Sequence, residues 1–96
     1  MRVQISTDQD SNGKVGLHAF LESKISNALS RFERDINLLL VSLSRGNGVA
    51  ETLCLFEIWQ QGRKSLIVTA NAATLESAVN SAIEKIKTVL ELQSDI

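Results

Sequence analysis

Between Leu75 and Leu90 the apolar residues Leu75, Ala78, Val79, Ala82, Ile83, Ile86 and Leu90 recur at spacings of three and four. Only an α-helix brings that set onto one side, at about 100° per residue. A helix that is apolar on one side only needs a surface to lie on. Thr74, just before the stripe, fits the N-cap position. The rest of the chain is therefore read for the surface that this helix covers.

That surface is β-structure. "MRVQIS" alternates, with Met1, Val3 and Ile5 on one face and Arg2, Gln4 and Ser6 on the other. "INLLLVSLS", "TLCLFEIWQ" and "SLIVTAN" read as three further strands, the last two joined by the turn "QQGRK" around Gly62. "TDQDSNGK" and "RGNGVA" carry the polar and glycine chemistry of loops. Between the first two strands, Leu17, Leu21, Ile25, Ala28 and Phe32 predict a helix from about Val15 to about Arg34. The expected fold class is α+β. The order is β-α-β-β-β-α, with a four-stranded mixed sheet and two helices packed on one face. The strand–helix–strand start suggests a parallel, right-handed crossover.

Alternation also assigns the two sheet faces. Leu39, Val41, Leu43, Cys54, Phe56, Ile58, Leu66 and Val68 fall toward the helices. Leu38, Leu40, Leu53, Leu55, Trp59 and Ile67 then fall on the opposite face, where a sheet covered on one side normally shows polar residues to water. Two explanations stay open at this point. Either that face meets a second copy of the chain, giving a homodimer, or one strand's register is shifted by a residue.

With 96 residues, 44% of them hydrophobic and 22% charged, residues 1–96 read as a single globular domain. The net charge of −1 excludes a protein that is basic overall, so any nucleic-acid site is a local patch. One cysteine, Cys54, forbids an internal disulfide. "MRVQISTDQD" lacks the apolar run of a signal peptide, and no segment approaches the roughly 20 apolar residues of a membrane span. A cytoplasmic location without a membrane partner is expected.

Catalytic residues are not expected, nor are a cofactor, a metal or a small-molecule substrate. His18 has no cysteine partner at ligand spacing and reads as a boundary residue. Cys54 alternates with Phe56 and Ile58, as a buried small hydrophobe does. Glu51 and Glu57 are six positions apart on a strand, too far for an obvious dyad. The chain is read as not an enzyme.

The cations carry more information. On one continuous helix, Lys24, Asn27, Arg31 and Arg34 line a single flank beside the apolar stripe. Such a flank could follow a phosphate backbone, or it could be an ordinary solvated edge. Lys85 and Lys87 lie roughly 160° apart around the last helix, so at most one joins that flank. Arg45, Arg63 and Lys64 sit at hairpin tips and read as solubilising charges.

The opening "VQI", the "LESKI" and "ALSRF" of the first helix, the "VSLS" strand end and "VTANAATLESAVNSAIEKIK" together resemble one bacterial family. It comprises the ribosome hibernation-promoting factors and ribosome-associated translation inhibitors, and the resemblance covers nearly the whole chain. It implies the same β-α-β-β-β-α fold. It further implies binding to the small ribosomal subunit in the decoding region and silencing of idle ribosomes under stress or in stationary phase. Lysines and arginines on the two helices would contact ribosomal RNA, here Lys24 in "LESKI", Arg31 in "ALSRF" and Lys85 in "IEKIK". Asn27, Arg34 and Lys87 complete the expected RNA-binding set. The chain departs from the family after that point, where "KTVLELQSDI" replaces further cations with Glu91 and Asp95. The alternative is a diverged self-associating or protein-binding module of the same fold that has lost ribosomal RNA.

Overall fold

A computed structural model describes residues 1–7, 15–45 and 51–94. The elements are β1 (Arg2–Thr7), α1 (Val15–Ala28), a 3-10 segment (Ser30–Asp35), β2 (Leu38–Arg45), β3 (Thr52–Trp59), β4 (Leu66–Ala72) and α2 (Leu75–Ser94). The strands form one sheet in the order β1-β2-β3-β4, with β1 parallel to β2 and the other two pairs antiparallel. The expected fold class holds. The loops read at "TDQDSNGK" and "RGNGVA" fall almost wholly outside the described residues, as does the side chain of Leu17.

Register places matched residues in rows across the sheet. Val3, Leu39, Ile58 and Leu66 form one row, and Ile5, Val41, Phe56 and Val68 the next. These rows face the helices. Leu39, Val41, Phe56 and Ile58 are buried in one cluster with Leu21, Ile25 and Leu29 from the first helical region and Val79, Ile83 and Ile86 from α2. Each such side chain contributes about 1.5–3 kcal/mol of transfer free energy when taken out of water. Ala78 and Ala82, both fully buried, let the α2 backbone lie close over β3 and β4, while α1 packs beside β1. Thr74 caps α2 as expected, its Oγ1 accepting the Ser77 N–H at 3.1 Å.

The predicted first helix does not run unbroken to Arg34. The Leu29 N–H still bonds to the Ile25 carbonyl at 3.0 Å, an α-helical link, but the Phe32 N–H bonds to the Leu29 carbonyl at 2.9 Å, three residues back. From Ser30 the chain is therefore wound as a 3-10 helix, which rises about 2.0 Å per residue against 1.5 Å. The tighter segment keeps Leu29, Phe32 and Ile36 buried while carrying the chain farther toward the start of β2. No proline or glycine marks the change, since none lies between Val15's neighbour Gly16 and Gly46.

The same register removes the shifted-strand explanation for the apolar residues of the far sheet face. Leu38 pairs with Trp59, Leu40 with Glu57, Ser42 with Leu55 and Ser44 with Leu53, so no strand has slipped. All six apolar residues do lie on the open face. They are interrupted there by Ser42, Ser44, Glu57 and Thr69, with Trp59 46% and Ile67 58% exposed and the four leucines half-buried.

Candidate nucleic-acid interface

The break after α1 divides the flank that a single helix would have presented. Lys24, half-buried, and Asn27, exposed, stay on α1, whereas Arg31 and Arg34 lie on the 3-10 segment. At three residues per turn those two arginines project on the same side, so they remain a pair. They do not remain equivalent. One Arg31 guanidinium nitrogen lies 3.4 Å from Glu91 Oε2 on α2, and the same group sits 4.9 Å from the Phe32 ring centroid. Both partners of this ion pair are about half exposed or more, which limits its worth to below about 1 kcal/mol. It nevertheless sets a carboxylate against one of the cations that the sequence reading assigns to RNA.

The lysines of α2 separate as their spacing requires. Lys85 turns toward β4, where its Nζ donates to the Thr69 carbonyl at 2.6 Å. Lys87 stands on the other side of the stripe, with Nζ 3.9 Å from Glu84 Oε2. Of the six residues expected to bind RNA, then, Arg31, Lys85 and Lys87 have partners within the chain. Among the described residues Lys24 and Arg34 enter no ion pair.

Arg34 belongs instead to a feature that sequence reasoning missed. It lines a cleft of about 280 Å³ with Asp35 and Asn37, the turn residues Gln60, Gln61 and Arg63, and Leu90 and Gln93 of α2. Arg63 reads from sequence as a solubilising tip charge, yet the fold sets it in the same cleft as Arg34. Three segments distant in sequence meet there, and no local pattern announces the meeting. The only hint is the run of amides beside an arginine in "WQQGR".

The remaining chemistry is structural. His18 is half-buried, with Nε2 3.5 Å from Thr7 Oγ1. Cys54 is fully buried, and desolvation pushes its thiol from 9.0 up to about 12, so it stays protonated and inert near neutrality. Among the described residues no three of His, Cys, Asp and Glu group as a metal site would need. No helix of the described chain is long and apolar enough to cross a membrane.

No family model and no curated protein matches the sequence. Solved structures do match the fold. A ribosomal subunit interface protein from Coxiella burnetii aligns over 100% of both chains, with a TM-score of 0.80 and 14% identity. The Protein Y N-terminal domain from Thermus thermophilus aligns over 92% of this chain and 93% of its own, with a TM-score of 0.69 and 16% identity. The resemblance read from the sequence pointed to the same fold, and the chain has it: that of a ribosomal subunit interface protein and of the Protein Y N-terminal domain.

Proposed function

We propose that this protein binds the small ribosomal subunit in its decoding region and dampens translation in the cytoplasm under stress or in stationary phase. The observation that carries the reading is the end-to-end fold match to a ribosomal subunit interface protein. The mechanism is steric: a rigid α+β body occupies the channel that messenger and transfer RNA need. Lys24, Asn27 and Arg34 lead the RNA contact, because Arg31 and Lys87 are partly neutralised by Glu91 and Glu84. With so few uncompensated cations, binding is weak and falls with salt more gently than for a basic relative, since the salt slope scales with the number of phosphates neutralised. Co-sedimentation with purified small subunits at low and moderate salt tests this. Pelleting that weakens with Lys24→Gln and Arg34→Gln is expected, and no pelleting at either salt overturns it.

A second reading has its own observation. Trp59 and Ile67 expose large apolar surface on the open sheet face, beside half-buried Leu38, Leu40, Leu53 and Leu55. A self-associating module of this fold would bury that surface against a second copy. Sedimentation equilibrium of the wild type against Trp59→Lys separates the readings. A wild type that stays monomeric at high concentration removes the support for self-association.

A further inference from the structure

We propose that the free edge of β1 receives an extended segment of another protein as an added strand, with a lysine or arginine of that segment set against Glu22. The sheet ends in two edges, β1 and β4, and the chain treats them differently. At β4, Lys85 Nζ fills the Thr69 carbonyl and sets a charge on the edge. β1 has no such guard among the described residues. Its Arg2 N–H bonds inward to the Asn37 carbonyl at 3.3 Å. Along a parallel pair only alternate residues bond the neighbouring strand, so Arg2, Gln4 and Ser6 turn their backbone groups to β2. Val3 and Ile5 turn theirs outward. Among the described residues nothing meets those outward N–H and C=O groups. The strand has no proline or glycine, and its register with β2 runs unbroken from Arg2 to Thr7.

The space beside this edge suits a strand. Met1, Arg2 and Val3 line an open groove of about 450 Å³ together with Glu22 and Ser26 of α1. A strand laid there sends alternate side chains to opposite sides. On the helix side they meet half-buried Met1, Val3 and Ile5, and Glu22. On the other side they meet Arg2, Gln4 and Ser6, all exposed. The matching segment therefore alternates apolar residues with polar ones and carries one cation among the apolar set. Glu22 is exposed and enters no ion pair among the described residues, so it is open to that cation. A second copy of this chain fits the edge less well. Two identical edges meet across a two-fold axis, which would set α1 beside α1 and the Glu22 flank against itself. RNA, whose phosphates Glu22 would repel, is disfavoured as well. In strand addition the main chain supplies affinity and alternate side chains supply specificity, which here is the reading of charge by Glu22.

Subunit binding is not a premise of this site. Glu22 lies roughly 160° around α1 from Lys24, so the groove is on the opposite flank from the cations assigned to RNA. The test is a titration of the isotope-labelled full chain followed by amide resonances. The probe is a capped peptide of about eight residues in which valines and one lysine alternate with threonines. One control peptide replaces the lysine by glutamate, and another keeps the composition and breaks the alternation. The lysine peptide is expected to move Val3 and Ile5 and to slow their hydrogen exchange. The glutamate peptide is expected to bind up to about fivefold more weakly, as an exposed ion pair allows. Glu22→Lys should reverse that order. Val3→Pro removes an outward N–H while leaving the bonds to β2, and should weaken binding about fivefold. Chemical denaturation confirms that each variant folds, and if the proline variant does not, the reversal in Glu22→Lys decides. No movement of Val3 and Ile5 with the lysine peptide overturns the proposal. So do equal binding of the lysine and glutamate peptides, equal binding of the broken pattern, or a folded Val3→Pro variant that binds unchanged. Movement of the same amides with a short unstructured RNA, or with protein concentration alone, assigns the edge to RNA or to a second copy and also overturns it. Sedimentation with small subunits is scored separately, so that either idea can fail alone.

Discussion

Lys85 Nζ on α2 donates a 2.6 Å hydrogen bond to the Thr69 carbonyl of β4. β4 is an edge strand, paired only with β3, and exposed edges are templates for pairing with another chain. A lysine held against the edge both fills a backbone acceptor and places a charge beside it. Lys85→Met is therefore expected to lower stability by about 1 kcal/mol, since the bond is charge-assisted but exposed. Urea unfolding should show a lower midpoint with an unchanged slope. The same variant should associate more readily at high concentration, by light scattering. If neither changes, Lys85 is not guarding the edge.

The Arg31–Glu91 pair makes a different prediction. Glu91→Gln removes the carboxylate that lies 3.4 Å from the guanidinium, at little cost to stability because both side chains are solvated. If the chain contacts ribosomal RNA through this flank, the released arginine adds a phosphate contact. Small-subunit binding should tighten at low salt and depend more steeply on salt concentration. Binding that is unchanged in both respects would place Arg31 outside the interface.

The helix caps and sheet faces were legible because their causes are local. Thr74 stands immediately before an apolar stripe, and the period of two of an extended chain sorts Leu39, Val41 and Leu43 from Leu38 and Leu40, although the nearly all-apolar runs Leu38–Leu43 and Leu53–Ile58 leave the register itself to strand pairing. The 3-10 segment was not legible, because its residues keep a spacing that a continuous α-helix would also satisfy. What tightens it is the distance to β2, a tertiary demand. The cleft was hidden for the same kind of reason. Arg34 and Arg63 are neighbours only after β2, β3 and β4 have paired. Salt-bridge partners such as Arg31 and Glu91 were equally out of reach, since helical geometry relates residues within one helix and not across two.

Thr74 offers a clean measure of the last helix. Its Oγ1 accepts the Ser77 N–H at 3.1 Å, and its carbonyl accepts the Ala78 N–H at 3.0 Å. Thr74→Ala keeps the second bond and loses the first, so a cost of about 1 kcal/mol is expected, with Thr74→Ser and Thr74→Asp close to wild type. Chemical denaturation of the three variants checks the order. An alanine variant as stable as the serine would mean that α2 is held by packing alone.

Cys54 links the core to alkaline pH. Its thiol ionises near 9.0 when solvated and near 12 in the fold, where desolvation by the surrounding core disfavours the thiolate. Above about pH 9 the unfolded chain releases a proton that the folded chain retains. The contribution of this group is thus fully present below pH 9 and is lost as pH rises toward 12, at up to about 1.4 kcal/mol per pH unit. Tyrosine, which would titrate in the same window, is absent from the chain. Cys54→Ala starts less stable, having lost packing in a fully buried site, but lacks this slope. The gap in unfolding free energy between wild type and variant should therefore narrow as pH rises above about 9. Thiol reagents should label the native wild type only as fast as it opens, and a burst of labelling near neutrality, or a gap that stays constant with pH, would contradict the buried thiol.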